Sequence, residues 1–203
     1  RLGWIPTGHD LVERAQSIIQ DLIDRAGGSD VAGAALYRKN DHIRANAKMD
    51  PYALNAWCWQ VLAKANEERP KVKYKRGTVT LDFLKKLAQL SWSEDGPRLA
   101  KEFLAKHGIP LVIVQHLPKT YLDGAALRLG DGRPVVGLTL RHDRIDNFWF
   151  CLLHELAHVG RHLDNDKGDA FVDDLTLRKV EGGREDTKEQ QADDWAEEAL
   201  IPK

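Results

Sequence analysis

The chain has 203 residues, 42% of them hydrophobic, with six tryptophans and a formal net charge of −1. That composition excludes a disordered or fibrous chain and leaves room for one substantial domain or two small ones. No apolar run is long enough for a membrane helix and no segment resembles a signal peptide, so a cytoplasmic protein without membrane contact is expected.

The charge is uneven. Residues 1–108 hold 18 Lys+Arg against 13 Asp+Glu, a balance of +5, while 109–203 hold 12 against 18, a balance of −6. A basic front and an acidic back suggest parts with different tasks. The two cysteines, Cys58 and Cys151, sit in apolar helical patterns and are expected as buried thiols of a reducing compartment. Cys151, three residues before His154, is also weighed as a metal ligand and set aside.

The front half reads as helical. In residues 10–25, Leu11, Ala15, Ile18, Ile19 and Leu22 share one helical face, and Gly27-Gly28 ends the run. Asp50-Pro51 starts a second helix with proline at its first position. Residues 69–77, RPKVKYKRG, form a basic loop. Thr80 caps the next helix, and Asp95-Gly-Pro opens another that stops at Gly108.

After Gly108 the period changes. Residues 109–114 read as a buried strand, and 125–129 and 134–140 as a hairpin about Gly130-Asp131-Gly132. Asp146 is the expected N-cap of the next helix, 164–174 an expected loop, and 188–200 a last helix. The order implies an α+β fold: a helical N-terminal region, 1–79, of unassigned role, then a domain over 80–203. In the latter, a small antiparallel or mixed three-stranded sheet packs on two helices.

The first of those helices carries His154-Glu155-x-x-His158. Residues four apart lie on one helical face, so both imidazoles can reach one metal ion. Leu152, Leu153, Leu156 and Ala157 surround them, so the polar groups must be buried or half-buried, and buried polar groups need partners. A third ligand on the same segment, in the form HExxHxxGxxH, fails because the last position is Asp164. His162 lies another turn on, and three ligands at i, i+4 and i+8 would spread over about 12 Å of axis; His162 is expected to face solvent. The last helix offers Glu189, Glu197, Glu198, Asp193 and Asp194. Glu189 is selected because Ala192 and Ala196 let its helix approach the first, with Trp195 filling the gap beneath.

With these residues the chain resembles the ImmA/IrrE family of metallopeptidases. The resemblance is carried by DNFWFCLLHELAH (146–158), GLTLRHD (137–143) and EQQADDWAEEALIP (189–202). It covers about residues 80–203, with Asp193 where the family usually has asparagine and Trp195 where it has phenylalanine. It implies a zincin domain of the glutamate-ligand kind, with zinc on His154, His158 and Glu189 and water in the fourth place. Glu155 would then be the general base. Substrate would lie as an added strand along Gly137, Leu138, Thr139 and Leu140. His142, Tyr121, Arg141 and Arg144 are candidate oxyanion or substrate contacts, and Asp173 or Asp174 candidate acceptors for a ligand histidine.

The resemblance further implies a protein substrate, a transcriptional repressor or antitoxin, cut in a stress or signal response. A helix-turn-helix module would stand upstream or in trans. The basic stretch KVKYKR (71–76) is weighed as a nucleic-acid contact, but an excess of five charges is modest and a solvated loop is favoured. The alternative function is a non-catalytic regulator that uses the same fold to bind protein or nucleic acid. A general base beside the metal favours the enzyme.

Overall fold

The computed structural model describes residues 14–37, 50–141, 144–164, 170–173 and 187–201, without the side chains of 34–37 and 170–173. Helix α1 (Ala15–Ala26) ends at Gly27 and α2 (Ser29–Tyr37) follows. Asp50 caps α3 (Pro51–Glu67), its carboxylate accepting the Tyr52 and Ala53 N–H groups. Thr80 caps α4 (Leu81–Ala88) through the Phe83 N–H, and a 3-10 turn over Gln89–Trp92 leads to α5 (Gly96–Lys106).

Strands β1 (Leu111–Ile113), β2 (Gly124–Arg128) and β3 (Pro134–Leu138) lie within a residue or two of the apolar runs expected as strands. The β2–β3 turn closes with the Leu129 N–H donating to Arg133 O at 2.8 Å. Helix α6 (Ile145–His158) carries the histidines, runs into a π-helical turn over Val159–Leu163, and is later joined by α7 (Thr187–Leu200). Asp146 is not the N-cap: the helix starts one residue earlier, and Asp146 sits in its first turn, paired with Arg144.

A fourth strand, β4 (Ala170–Asp173), lies in the stretch expected as loop. It pairs antiparallel with β2, Gly124 opposite Asp173 and Leu127 opposite Ala170. The sheet order is β1-β3-β2-β4, with β1 parallel to β3 and the other pairings antiparallel. This is an α+β fold with a mixed sheet.

Alternation along the strands sends side chains to two cores. Val112, Ala125, Leu127 and Val135 meet α3 through Leu54, Trp57, Val61 and Leu62. Leu111, Ala126, Val136 and Leu138 meet α4, α5, α6 and α7. Packing on the sheet thus crosses the boundary expected at residue 79. Helix α3 is a layer on the same sheet, and Val79 belongs to the core of the opposite face. The charge contrast that suggested two parts is a property of the surface, while the apolar residues of both halves share one sheet. Among the described residues no helix is long and apolar enough to cross a membrane.

Candidate metal centre

Leu152, Leu153 and Leu156 are wholly buried, so α6 is covered on every side near its C-terminal end. The polar residues between them are buried as well: His154 and His158 at 0% exposure, Glu155 at 1%. Ala192, Ala196 and Ala199 form the buried stripe of α7, and their size lets its backbone come close to α6. Glu189, in the first turn of α7, then faces the two rings. Trp195 is half-buried against the same core, with the Arg161 guanidinium 5.1 Å from its ring centre.

The three donor atoms converge. His154 Nε2 and His158 Nε2 are 2.8 Å apart, and Glu189 Oε2 lies 3.3 Å from the first and 3.4 Å from the second. Tetrahedral bonds of about 2.0–2.1 Å would set ligand atoms roughly 3.3 Å apart. The two carboxylate–imidazole distances fit that spacing, and the imidazole pair is tighter. Two nitrogens and one carboxylate oxygen form a donor set suited to zinc or a neighbouring first-row cation. Among the described residues this is the group of three such side chains able to share an ion. Cys151 is buried in the core beside it and is not one of them.

The other ring nitrogens are held. His154 Nδ1 is 3.1 Å from Asp193 Oδ1, so an Nδ1–H donated to that carboxylate leaves Nε2 with its lone pair toward the cluster. His158 Nδ1 is 3.0 Å from His162 Nδ1, and His162 Nε2 is 3.3 Å from Gln191 Oε1. One set of tautomers satisfies this chain with Nε2 of His158 left as an acceptor. His158 donates to His162, and His162 donates to Gln191. Both candidate ligand rings are thus oriented by partners outside the cluster.

Burial governs the charge states. It pushes His158 down from 6.5 to about 4, with the hydrogen bond to Glu189 acting the other way. His162 is also lowered, again chiefly by burial. For Glu189 burial opposes the charge, but the adjacent His154 and His158 rings prevail and hold its carboxyl below the usual range. A neutral imidazole beside an ionised carboxylate is the protonation state that metal binding requires.

Glu155 stands apart from the donor group. Its carboxylate packs on the start of β2, where a Cβ on Gly124 would come within 2.7 Å of Oε1. Glycine at 124 makes room for this buried carboxylate on the sheet backbone.

Other expected residues fall elsewhere. His162 is 5% exposed and supports His158, so its expected solvent-facing position is corrected. It shares a helical face with His158, and a residue there can serve as a partner without being a ligand. Gly137, Leu138, Thr139 and Leu140 do not offer a free edge, because β3 is flanked by β1 and β2. Leu138 O accepts from Val114, the Thr139 N–H donates to Asp123 O, and Leu140 lies past the strand end. Tyr121 is 37% exposed in a left-handed backbone conformation (φ +49°), and no hydrogen bond joins it to the donors. Arg141 pairs with buried Asp123 at 3.3 Å, and Arg144 with Asp146 on the surface. His142, Asp174 and the side chain of Asp173 lie outside the described residues.

Asp193 holds the role expected of Asp173 or Asp174 toward a ligand histidine. A signal for it existed: Asp193 follows Glu189 by four residues, as His158 follows His154, so two matching helical faces oppose each other. Comparison of the chain with protein-family models, curated proteins and solved structures finds no match.

Proposed function

We propose that this chain is a zinc-dependent endopeptidase, with His154, His158 and Glu189 as metal ligands and Glu155 as general base. The observation that carries the reading is the meeting of two buried imidazole nitrogens and a half-buried carboxylate oxygen within 3.4 Å, the imidazoles on a helix that also buries the carboxylate of Glu155. When bound, zinc would supply Lewis acidity toward the substrate carbonyl and toward water. Glu155 takes the proton of the attacking water on a carboxylate oxygen and passes it to the departing amine. Asp193 and His162 keep the ligand rings in the tautomer that leaves Nε2 available.

An extended substrate is best received at β4. This strand has no neighbour beyond it among the described residues, and its Asp173 lies opposite the Gly124 on which Glu155 rests. Backbone pairing there would carry a peptide past the general base. The resemblance in 137–143, 146–158 and 189–202 supports the narrower reading, a transcriptional repressor or antitoxin as substrate. The deciding experiment is metal analysis of the purified chain beside Glu189→Ala. About one zinc per chain, lost or greatly weakened in the variant, is expected. A wild type that takes up no zinc at neutral pH would overturn the proposal.

A further inference from the structure

The basic loop plays no part in the metal centre, yet it is a built part of the fold. Tyr74 Oη and the Gly77 N–H both donate to Asp164 Oδ2 at 2.7 Å, and Arg133 Nη1 donates to Pro70 O at 2.7 Å. Asp164 is itself buried and follows the π-helical turn directly. Burial and the hydrogen bond to Asp164 raise Tyr74 above the usual phenol range, so it stays a donor. A segment expected as a solvated loop is thus fixed to the end of the metal helix and to the β2–β3 hairpin.

The fixed loop closes a cleft of about 220 Å³. Lys73 and Arg76 of the loop and Arg128 and Arg133 of the hairpin line it, together with Asp131 and Asp164. Four cations against two carboxylates give the lining a balance of +2 in a chain whose net charge is −1. The carboxylates are already engaged, Asp164 by the loop and Asp131 by Arg69 and Arg133. Among the described residues no carboxylate pairs with Lys73 or Arg76, and both are exposed. Cations gathered around a concave space recognise a compact multivalent anion. A long polyanion is served by a stripe along a surface.

We propose that this cleft binds a small phosphate-bearing molecule through a diphosphate group, with Lys73 and Arg76 as its charged contacts. The site is separate from the metal centre and stands whether or not the chain is a peptidase. Calorimetric titration of the full chain as purified, at about 0.15 M salt, tests it with inorganic pyrophosphate, ADP and sulfate. Pyrophosphate is expected to bind more tightly than sulfate, and about tenfold or more weaker in Lys73→Gln/Arg76→Gln, which removes two charge-assisted contacts. Both residues are exposed, so an unchanged melting temperature will show that fold is kept. Lys85→Gln/Lys101→Gln, with the same charge change elsewhere, should bind like wild type. ADP tighter than pyrophosphate would assign a nucleotide, and equal affinity the inorganic group. Equal binding by wild type and the cleft variant, which leaves an adventitious ion only, would overturn the proposal, as would no binding at millimolar concentration. Duplex DNA bound more tightly than pyrophosphate, and lost in the cleft variant, would overturn it in favour of a nucleic-acid surface.

Discussion

The two faces of the sheet bury similar aliphatic surfaces and do different things with them. Toward α3 the core is Trp57, Val61, Leu62, Leu127 and Val135, with the Trp57 indole N–H donating to Val114 O at 3.3 Å. Toward α6 and α7 a comparable set of leucines and alanines also encloses three histidines and a glutamate. Burying those groups without partners would cost several kcal/mol. The histidines are tolerated because each has polar partners, one another and Asp193, Glu189 and Gln191 of α7. One face supplies stability, and the other uses part of it to hold a polar cluster out of water.

The largest effect that separates the faces should come from Glu155→Gln. If the α6 face is a peptidase site, cleavage of the protein substrate should fall by about 10²–10⁴-fold, the usual span for loss of a general base. Zinc content should stay as in wild type. Unchanged cleavage would remove Glu155 from the chemistry and return the cluster to a binding or structural role.

A pH series gives the next largest contrast. In the metal-free chain burial holds His158 at about 4 against 6.5 when exposed. Between those values the unfolded chain binds more protons than the folded one, so stability rises with pH across this window. The contribution is complete above 6.5 and is lost as pH falls toward 4, a change on the order of 3 kcal/mol. Glu189, also held below its usual value, acts in the same direction at still lower pH. Urea unfolding of chelator-treated protein at several pH values will show the slope. A flat profile would mean that His158 is not buried neutral.

Much of this arrangement is written in local signals. Asp50-Pro51 and Thr80 act within one helical turn of themselves, so their capping roles follow from the sequence. His154 and His158 are spaced for one face, and Glu189 stands on a helix whose alanines announce close packing. What failed to show was set by distant pairing. β4 has four residues and exists through its hydrogen bonds to β2. The interior position of β3 depends on β1 returning parallel beside it, which no residue of β3 encodes. Packing across residue 79 was not legible because the boundary there followed the extent of the resemblance, whereas Trp57 and Val61 disclose their partner only when packed on the sheet.

Asp193 sharpens the contrast within the site. Its carboxylate accepts from His154 and makes that ring a stronger donor. Asp193→Asn keeps the shape and removes the charge, and metal affinity should fall by about 10–100-fold, read by competition with a chelator. No change would mean that the carboxylate orients the ring without adding to its basicity.

The smallest effect is the most specific, because it uses one added methyl on each face. Gly124 on β2 and Gly137 on β3 are in neighbouring strands, with Gly137 opposite Ala125, and they point to opposite sides. A Cβ at 137 would meet Val61 Cγ1 at 2.8 Å and the Trp57 ring at 3.0 Å; one at 124 would meet the Glu155 carboxylate. Gly137→Ala should therefore lower stability by about 1–2 kcal/mol through overpacking and leave zinc binding intact. Val61→Ala, added to it, should restore part of the loss, since the two changes share one volume. Gly124→Ala should instead displace Glu155, reducing cleavage more than it reduces stability. Denaturant melts and cleavage rates on the three variants will read both axes. Equal stability losses with equal activity losses in the two glycine variants would mean that the faces are not divided as their side chains indicate.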